Sequence, residues 1–263
     1  MATLELETMR VEQQGHLARL RLNRPAALNA ANWAWVRDLV AAVEHLARIP
    51  EIHVLIVSGE GRAFCSGLDV KELAEGHLSP DWFDTWERGV TGLANLDAIS
   101  IAAIHGYCLG GGLQVALACD LRVTTADAVL SIPAVKEGVV AALGPMRLAR
   151  LIGAAPAKRL CLLGRQLSGA EGAALGLIDE VTPPDELETR VLALADGLLT
   201  IPFTALLHTK RQIDSAFDRD PQTLHREMVA AQEDCLRSPE HAAVMETYRA
   251  QQAARRARGS ATS

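Results

Sequence analysis

Short apolar runs that alternate with helical stretches constrain the fold of this chain more than any other feature of its sequence. The segment HLARLRL (16–22) alternates apolar and polar residues, which is typical of a half-buried strand, and VLIVSG (54–59) has the continuous apolarity of a buried one. Between them, apolar residues recur every three or four positions, which predicts an amphipathic helix over residues 30–49 that starts near Asn29. Three further short strands are predicted at 100–106, 121–125 and 128–133. The first two-thirds of the chain should therefore form a layered α/β core.

The pattern becomes helical from residue 145 onward. Periodic apolar spacing predicts long helices near residues 184–199, 202–216, 221–236 and 239–257. A chain of 263 residues exceeds the usual length of a domain, but one core with an appendage can accommodate it. We therefore predict a core over residues 1–200 and a helical C-terminal region over residues 201–263.

Charge and cysteine content argue against several functional classes. A net charge of −6 gives no electrostatic footprint for nucleic acid, and the basic run RRAR (255–258) fits a solvated helix end. The five cysteines are odd in number and scattered, which favours a reducing compartment over a disulfide framework or a zinc site. The N-terminal segment has no signal or transit pattern, and no apolar run reaches the roughly 20 residues of a membrane span. We expect a cytoplasmic protein without a metal site and without nucleic-acid or membrane partners.

Two segments share one design, in which a strand runs into a glycine turn. They are VLIVSGEGRAFCSGLDVKEL (54–73) and SIAAIHGYCLGGGLQVAL (100–117). Glycine allows close backbone approach, so each turn can leave a peptide N–H unpaired and directed at a ligand. Two such donors that converge on one oxygen form an oxyanion hole, in which a single donor is worth about 3–4 kcal/mol of transition-state stabilisation.

Each turn taken singly also fits tight packing, and other ligand sites are poorly supported. The segment GYCLGGGL has no Lys-Ser/Thr after its glycines, and GEGRAF does not open a helix, so neither matches a nucleotide-phosphate loop. Ser66 does not match a hydrolase nucleophile, because Phe64 and Leu68 occupy the positions at which the G-x-S-x-G motif requires glycine.

Taken together, the two turns resemble those of the enoyl-CoA hydratase/isomerase (crotonase) superfamily. The resemblance extends along most of the chain through LNRPAALNA (22–30), AFCSGLDVKEL (63–73), IHGYCLGGGL (104–113), ALACDLRV (116–123), IPAVKEG (132–138) and GRQLSGAEGAALGLIDEV (164–181). It implies an α/β fold, a crotonase-like spiral of ββα units with a C-terminal helical trimerisation region. It further implies an acyl-CoA thioester as substrate, no cofactor besides the substrate's own coenzyme A, and a homotrimer or a dimer of trimers.

The resemblance assigns roles to individual residues. The backbone N–H groups of Leu68 and Gly111 would hold the thioester oxygen and stabilise the enolate formed from it, with Gly111 at the positive end of a helix dipole. Lys71 matches a position that meets the phosphates of coenzyme A, and Tyr248 matches an aromatic position near the adenine of a neighbouring subunit's ligand; packing explains Tyr248 equally well. Asp69 is expected to cap the following short helix. The full predicted substrate-binding set is Ala27, Leu28, Ser66, Gly67, Leu68, Asp69, Val70, Lys71, Gly110, Gly111 and Tyr248.

The chain departs from the hydratase pattern at the residues that move protons. Hydratases of the family use two glutamates, and the corresponding positions here hold Gln114 and Ala134, neither of which can exchange a proton at neutral pH. A third position, at which certain relatives carry an aspartate, is Ala142. Because each general acid or base is worth roughly 10²–10⁴ in rate, we expect poor hydration of an enoyl thioester. Lys136 and Glu137 flank Ala134, and we expect them to form surface salt bridges.

The segment EGHLSPDWFDTWERG (75–89) holds a large share of the few aromatic residues in the chain. We expect an amphipathic lid helix that buries Trp82, Phe83 and Trp86 beside the acyl group, with His77 or Asp81 as alternative groups within reach of it. His105 is expected to be structural.

Three hypotheses follow from these residues. The first is a lyase or isomerase of the enoyl-CoA hydratase/isomerase type that stabilises a thioester enolate and uses an unidentified proton carrier. The second is a catalytically silent acyl-CoA binding protein, because both glutamate positions are empty. The third is a thioesterase or decarboxylase on the same scaffold. Gln114 and Ala134 are the residues that discriminate among them.

Overall fold

The computed structural model describes residues 2–260, with side chains up to residue 255. The described chain forms two compact units, Met1–Leu198 and Leu199–Ser263. The strands among residues 2–260 number eleven and all lie in the first unit: β1 (Ala2–Glu5), β2 (Met9–Gln14), β3 (Leu17–Leu22), β4 (Val54–Gly59), β5 (Ala63–Cys65), β6 (Ile99–Ile104), β7 (Tyr107–Leu109), β8 (Leu121–Thr125), β9 (Val129–Ser131), β10 (Leu167–Ser168) and β11 (Glu180–Thr182).

The strands form two sheets. The larger sheet has the order β1-β2-β3-β4-β6-β8-β11, in which the first three strands are antiparallel and the rest are parallel. The smaller sheet has the order β10-β9-β7-β5. Each of the central strands β4, β6 and β8 therefore continues into a short strand of the other sheet, and β5 and β7 are each followed by a helix. This repetition confirms the predicted α/β core of ββα units. The N-terminal strands β1 and β2 were not predicted.

Eleven α-helices are present among the described residues. Those that begin in the first unit are α1 (Trp33–Leu46), α2 (Val70–Ala74), α3 (Pro80–Ala94), α4 (Gly111–Ala118), α5 (Gly144–Ile152), α6 (Ala154–Leu163), α7 (Gly169–Ala174) and α8 (Leu187–Leu199). The second unit holds α9 (Phe203–Ser215), α10 (Pro221–Arg237) and α11 (Pro239–Ser260), which confirms a helical C-terminal region; its role in trimerisation stays a prediction. No single described helix is long and apolar enough to span a membrane, although Pro184–Leu199 and Phe203–Ser215, a bent pair, meet the length and composition criteria when joined.

Helix α1 begins three residues later than the sequence predicted. Its cap is Asn32, whose side chain accepts a hydrogen bond from the Trp35 N–H at 3.0 Å. The Asn29 side chain is fully buried and has a different role. Its amide donates to the carbonyls of Ala63 and Phe64 at 2.8 and 3.1 Å. Asn29 therefore fastens the chain before α1 to strand β5, which leads into the first glycine turn.

Replacement of Asn29 should destabilise the core. Asn29→Ala removes a buried amide donor from the carbonyls of Ala63 and Phe64 and places alanine at a φ of 58°, a left-handed conformation that asparagine tolerates better. We expect a loss of about 2–4 kcal/mol in the free energy of unfolding, measured by urea denaturation. Asn23→Ala, at an exposed position six residues earlier, is the matched control and should change stability by no more than about 0.5 kcal/mol. Equal unfolding midpoints for the two variants would contradict this role.

Candidate active site

One cavity of about 670 Å³ lies in the first unit, where the two glycine turns meet. Most of the residues predicted to bind substrate line it, namely Ala27, Leu28, Ser66, Leu68, Asp69, Val70, Lys71, Gly110 and Gly111. The two positions that hold glutamate in hydratases, Gln114 and Ala134, line it as well. Gly67 is not among the lining residues, and Tyr248 belongs to α11 of the second unit. The structure thus brings the two turns, about forty residues apart in sequence, to one site.

The first candidate donor is the N–H of Leu68. The residues before and after Leu68 both pair with Ala31. The Ala31 N–H donates to the Gly67 carbonyl at 2.7 Å, and the Ala31 carbonyl accepts from the Asp69 N–H at 2.9 Å. Because successive N–H groups of extended backbone point in opposite directions, the Leu68 N–H faces away from Ala31. Within the described chain it donates to no acceptor. The Leu68 N–H is therefore available to a ligand in the cavity.

The second candidate donor is the N–H of Gly111, the first residue of α4. The preceding turn is held in place because the Gly110 N–H donates to the Ser131 carbonyl at 2.8 Å. The Gly111 N–H itself has no acceptor among residues 2–260, as expected for the first turn of a helix. The helix dipole adds positive potential at this end. An anionic oxygen bound here would meet both a hydrogen-bond donor and a favourable field.

Glycine is required where the two turns touch. A Cβ atom at Gly112 would overlap the carbonyl oxygen of Cys65. Gly67 has a φ of 98°, and a Cβ there would lie 2.7 Å from the Leu109 carbonyl oxygen and 3.3 Å from the Gly111 nitrogen. The turns therefore pack backbone against backbone, which no larger residue permits.

Helix α3 contributes an aromatic wall, as the sequence predicted for the lid segment. The rings of Trp35, Trp86 and Trp82 form a continuous stack, with centroids 5.5 and 5.6 Å apart. Phe83 packs edge-on against Trp82, and both line the cavity together with Trp86. The tip of the Trp86 ring lies over Gly111, because a Cβ on that glycine would be 2.7 Å from it. The wall therefore bounds the cavity directly beside the second donor.

The two groups proposed as alternatives on the lid do not reach this cavity. Neither His77 nor Asp81 lines it, and the His77 ring lies 3.4 Å from Glu75 at the surface. Glu87 points to α5, where it binds Arg147 at 2.7 Å and accepts from the Leu143 N–H at 2.8 Å. These contacts of Glu87 anchor α3, the lid helix, to α5 and to Leu143, the residue that precedes α5.

Gln114 extends from α4 into the base of the cavity. Its side chain is 4% exposed, and its Oε1 has no hydrogen-bond donor among the described residues. It packs against Gly144, where a Cβ would lie 2.7 Å from the Gln114 Cγ. A buried amide oxygen without a partner costs roughly 1–3 kcal/mol, which a ligand that donates to it would recover.

The short 3₁₀ helix Ala134–Glu137 forms another part of the lining. Ala134 and Glu137 both line the cavity, whereas the Lys136 ammonium donates to the Gly164 carbonyl at 2.8 Å. The expectation that Lys136 and Glu137 form surface salt bridges is wrong within the described chain, which contains no ion pair of either residue. Ala142 also lines the cavity, with a φ of 41° that is unusual for alanine.

The charged groups at the cavity are few. Asp69 caps α2, as predicted, by accepting from the Lys71 N–H at 3.2 Å, and its other oxygen lies 3.3 Å from the Arg24 guanidinium. Arg24, within the motif LNRPAALNA, also lines the cavity and was not predicted as a site residue. No group of three His, Cys, Asp or Glu side chains in the described part of the chain could hold a metal ion.

Cys65 and His105, close to the first turn in space, have structural contacts. The Cys65 thiol donates to the Asn29 carbonyl at 3.1 Å, and burial raises its pKa to about 12. It therefore stays a neutral thiol at physiological pH and is a poor nucleophile. The His105 ring lies 3.0 Å from the Gly61 carbonyl and does not line the cavity, in keeping with its predicted structural role.

Known proteins resemble this chain over most of its length. The family model described as enoyl-CoA hydratase/isomerase matches residues 12–252. "Probable enoyl-CoA hydratase echA8" of Mycobacterium tuberculosis is 35% identical over 217 residues, which cover 81% of this chain and 83% of that protein. The peroxisomal Δ(3,5)-Δ(2,4)-dienoyl-CoA isomerase of Arabidopsis thaliana is 34% identical over 209 residues, 73% of this chain and 75% of that one.

A solved structure gives the same fold. A "putative enoyl-CoA hydratase" from Thermobifida fusca, solved in complex with CoA, superposes with a TM-score of 0.80 at 30% identity and covers 87% of this chain and 93% of its own. A "putative enoyl-CoA hydratase" from the same organism was also solved in complex with acetoacetyl-CoA, with the same TM-score and identity. The predicted spiral fold is therefore confirmed.

Any side chain at Gly112 should force the two turns apart. Gly112→Ala places its methyl group on the Cys65 carbonyl oxygen, and we expect a loss of about 1–3 kcal/mol in the free energy of unfolding. Gly197→Ala is the control, because Gly197 lies within α8 with no atom within 4 Å of a new Cβ and should gain up to about 1 kcal/mol from helix propensity. Thermal or urea unfolding of both variants measures the difference; a Gly112→Ala variant as stable as wild type would refute the close contact.

Proposed function

Because the chain belongs to the enoyl-CoA hydratase/isomerase family, we propose that it is an enzyme that binds an acyl-CoA thioester and stabilises its enolate between the N–H groups of Leu68 and Gly111. The observation that supports this proposal is the pair of unpaired backbone donors that border one cavity. Removal of one such donor from an oxyanion hole costs about 10²–10³ in rate. The fold holds both donors before any substrate binds, so no reorganisation is needed when the negative charge develops.

The surroundings of the donors suit an enolate. The tryptophan wall and the aliphatic residues of the Val139–Ala142 segment make the cavity mostly apolar. An apolar wall lowers the effective dielectric constant and so strengthens each hydrogen bond to a charged oxygen. The dipole of α4 acts in the same direction at Gly111. These features strengthen the hydrogen bonds to the charged oxygen of an enolate more than those to the neutral oxygen of a thioester.

The residues at the two glutamate positions argue against efficient hydration. Water addition needs a base to activate water and an acid to protonate the α carbon, and neither Gln114 nor Ala134 supplies one. We therefore assign the enzyme to the enolate-forming lyases and isomerases of the family rather than to its hydratases. The same two residues support the second candidate, an acyl-CoA binding protein without catalytic activity, and the experiments below separate the two.

The coenzyme A portion of the ligand would lie at the charged mouth of the cavity. Lys71 is exposed, and both Lys71 and Arg24 line the cavity, so both can offer positive charge to phosphate groups. We further propose that Tyr248 contacts the adenine of a neighbouring subunit's ligand in an assembled trimer. The compartment that we propose for the protein is the cytoplasm.

The donor of Gly111 can be removed and compared with a variant that carries similar added bulk. Proline fits the first position of a helix, so Gly111→Pro deletes the N–H, while Gly111→Ala keeps it and introduces the same crowding against Trp86. We expect wild type and Gly111→Ala to increase the ultraviolet absorbance of the acetoacetyl-CoA enolate, and Gly111→Pro to fail to do so. The rate of exchange of the α-protons of 3-butenoyl-CoA should also fall by about 10²–10³ in Gly111→Pro relative to Gly111→Ala. A folded proline variant that matches the alanine variant in both assays would exclude this donor.

Restoring the two acids should create hydratase activity. Gln114→Glu is isosteric, and Ala134→Glu extends into the open cavity, so both substitutions fit the lining. Two carboxylates in one apolar cavity raise one another's pKa, which allows one to act as acid and the other as base. We expect the double variant to hydrate crotonyl-CoA at least about 10²-fold faster than wild type, measured by the loss of enoyl-thioester absorbance. No gain in a variant that circular dichroism shows to be folded would mean that the cavity does not position water at the β carbon.

A further inference from the structure

Glu137 is the one carboxylate at the cavity that no other described residue engages. The acidic side chains in the lining are Asp69 and Glu137. Asp69 is occupied, because one of its oxygens caps α2 and the other lies beside Arg24. Glu137 forms no hydrogen bond or ion pair with any described side chain. An uncommitted acid at a mostly apolar cavity is available for chemistry.

The local helix type explains why Glu137 faces the same space as Ala134. The residues Ala134–Glu137 form a 3₁₀ helix, which has three residues per turn, so side chains at positions i and i+3 lie on one face. An α-helix would rotate the two positions by a further 60° relative to each other. The side chain of Lys136 leaves this face for the Gly164 carbonyl. Glu137 thus lies one turn beyond the empty glutamate position and borders the same cavity.

We propose that Glu137 is the proton carrier of this enzyme. It performs the proton transfer for which hydratases use a glutamate at the position of Ala134. Its carboxylate removes a proton from the α carbon of the bound acyl thioester. The electron pair of the broken C–H bond forms the enolate, whose oxygen accepts hydrogen bonds from Leu68 and Gly111. The protonated Glu137 then returns the proton to the α carbon or, in an unsaturated acyl group, delivers it to the γ carbon and shifts the double bond.

This assignment rests on the proposed function and specifies the position of the group that moves the proton. A carboxylate displaced by one 3₁₀ turn, about 6 Å along the axis, reaches the acyl group from a more exposed position than one at the buried position 134. Glu137 is exposed, so its proton exchanges freely with solvent. The enzyme should therefore wash solvent deuterium into the α carbon of a thioester even when no net reaction occurs.

The test uses two probes that report different steps. Mass spectrometry measures deuterium incorporation into 3-butenoyl-CoA in D₂O, and the ultraviolet absorbance of bound acetoacetyl-CoA measures enolate stabilisation. We expect Glu137→Gln to lower kcat for exchange by at least about 10², with an unchanged KM and an unchanged acetoacetyl-CoA signal. Glu137→Asp, which keeps the carboxylate, should exchange faster than Glu137→Gln. Glu44→Gln, at an exposed position on α1, is the matched control and should equal wild type.

The outcomes separate this proposal from the proposed function. Wild-type exchange in Glu137→Gln, or equal rates in the Asp and Gln variants, would overturn the assignment of Glu137. A wild-type protein that gives the enolate signal without exchange would also overturn it and would leave the oxyanion hole intact. Absence of the enolate signal in the wild type would reject the proposed function and Glu137 with it.

Discussion

Backbone contact between the two glycine turns is the constraint on which the site depends. The turns follow neighbouring strands of the smaller sheet, β5 and β7, which themselves follow neighbouring strands of the larger one, β4 and β6. Sheet pairing brings them together, and the missing side chains of Gly67 and Gly112 let them approach to van der Waals distance. If a methyl group separated them, the N–H groups of Leu68 and Gly111 would no longer border the same cavity in the same orientation.

The tryptophan stack gives the cavity its wall and couples the lid to the core. Trp35 belongs to α1, whereas Trp82 and Trp86 belong to α3, so the stack joins two helices through their largest side chains. Stacked aromatic pairs contribute about 0.5–1.5 kcal/mol beyond the burial of their area. Because the Trp86 ring lies over Gly111, the position of the lid helix also determines how much room an acyl group has beside the donor.

The distribution of polar groups in the cavity differs from that expected of a hydratase. The buried position on α4 carries a neutral amide, Gln114, which preserves the shape of a glutamate but not its titration. Ala134 leaves space, and the carboxylate at Glu137 borders that space from one turn away. The two unpaired backbone donors are thus retained, while the proposed proton carrier lies at a more exposed position than the glutamates of a hydratase.

The sequence by itself determined the layered α/β core and the two glycine turns, because strand periodicity and glycine requirements are local properties. The choice of Leu68 and Gly111 as candidate donors came from the family resemblance of the motifs around them. It also predicted that Asp69 caps a helix, since capping involves residues only two apart. It failed where distant segments decide the outcome. The burial of Asn29, the exclusion of His77 from the cavity and the availability of Glu137 all depend on which segments pack together. Only the tertiary structure fixes these contacts, because a side chain's neighbours across the fold decide whether it is buried, paired or free.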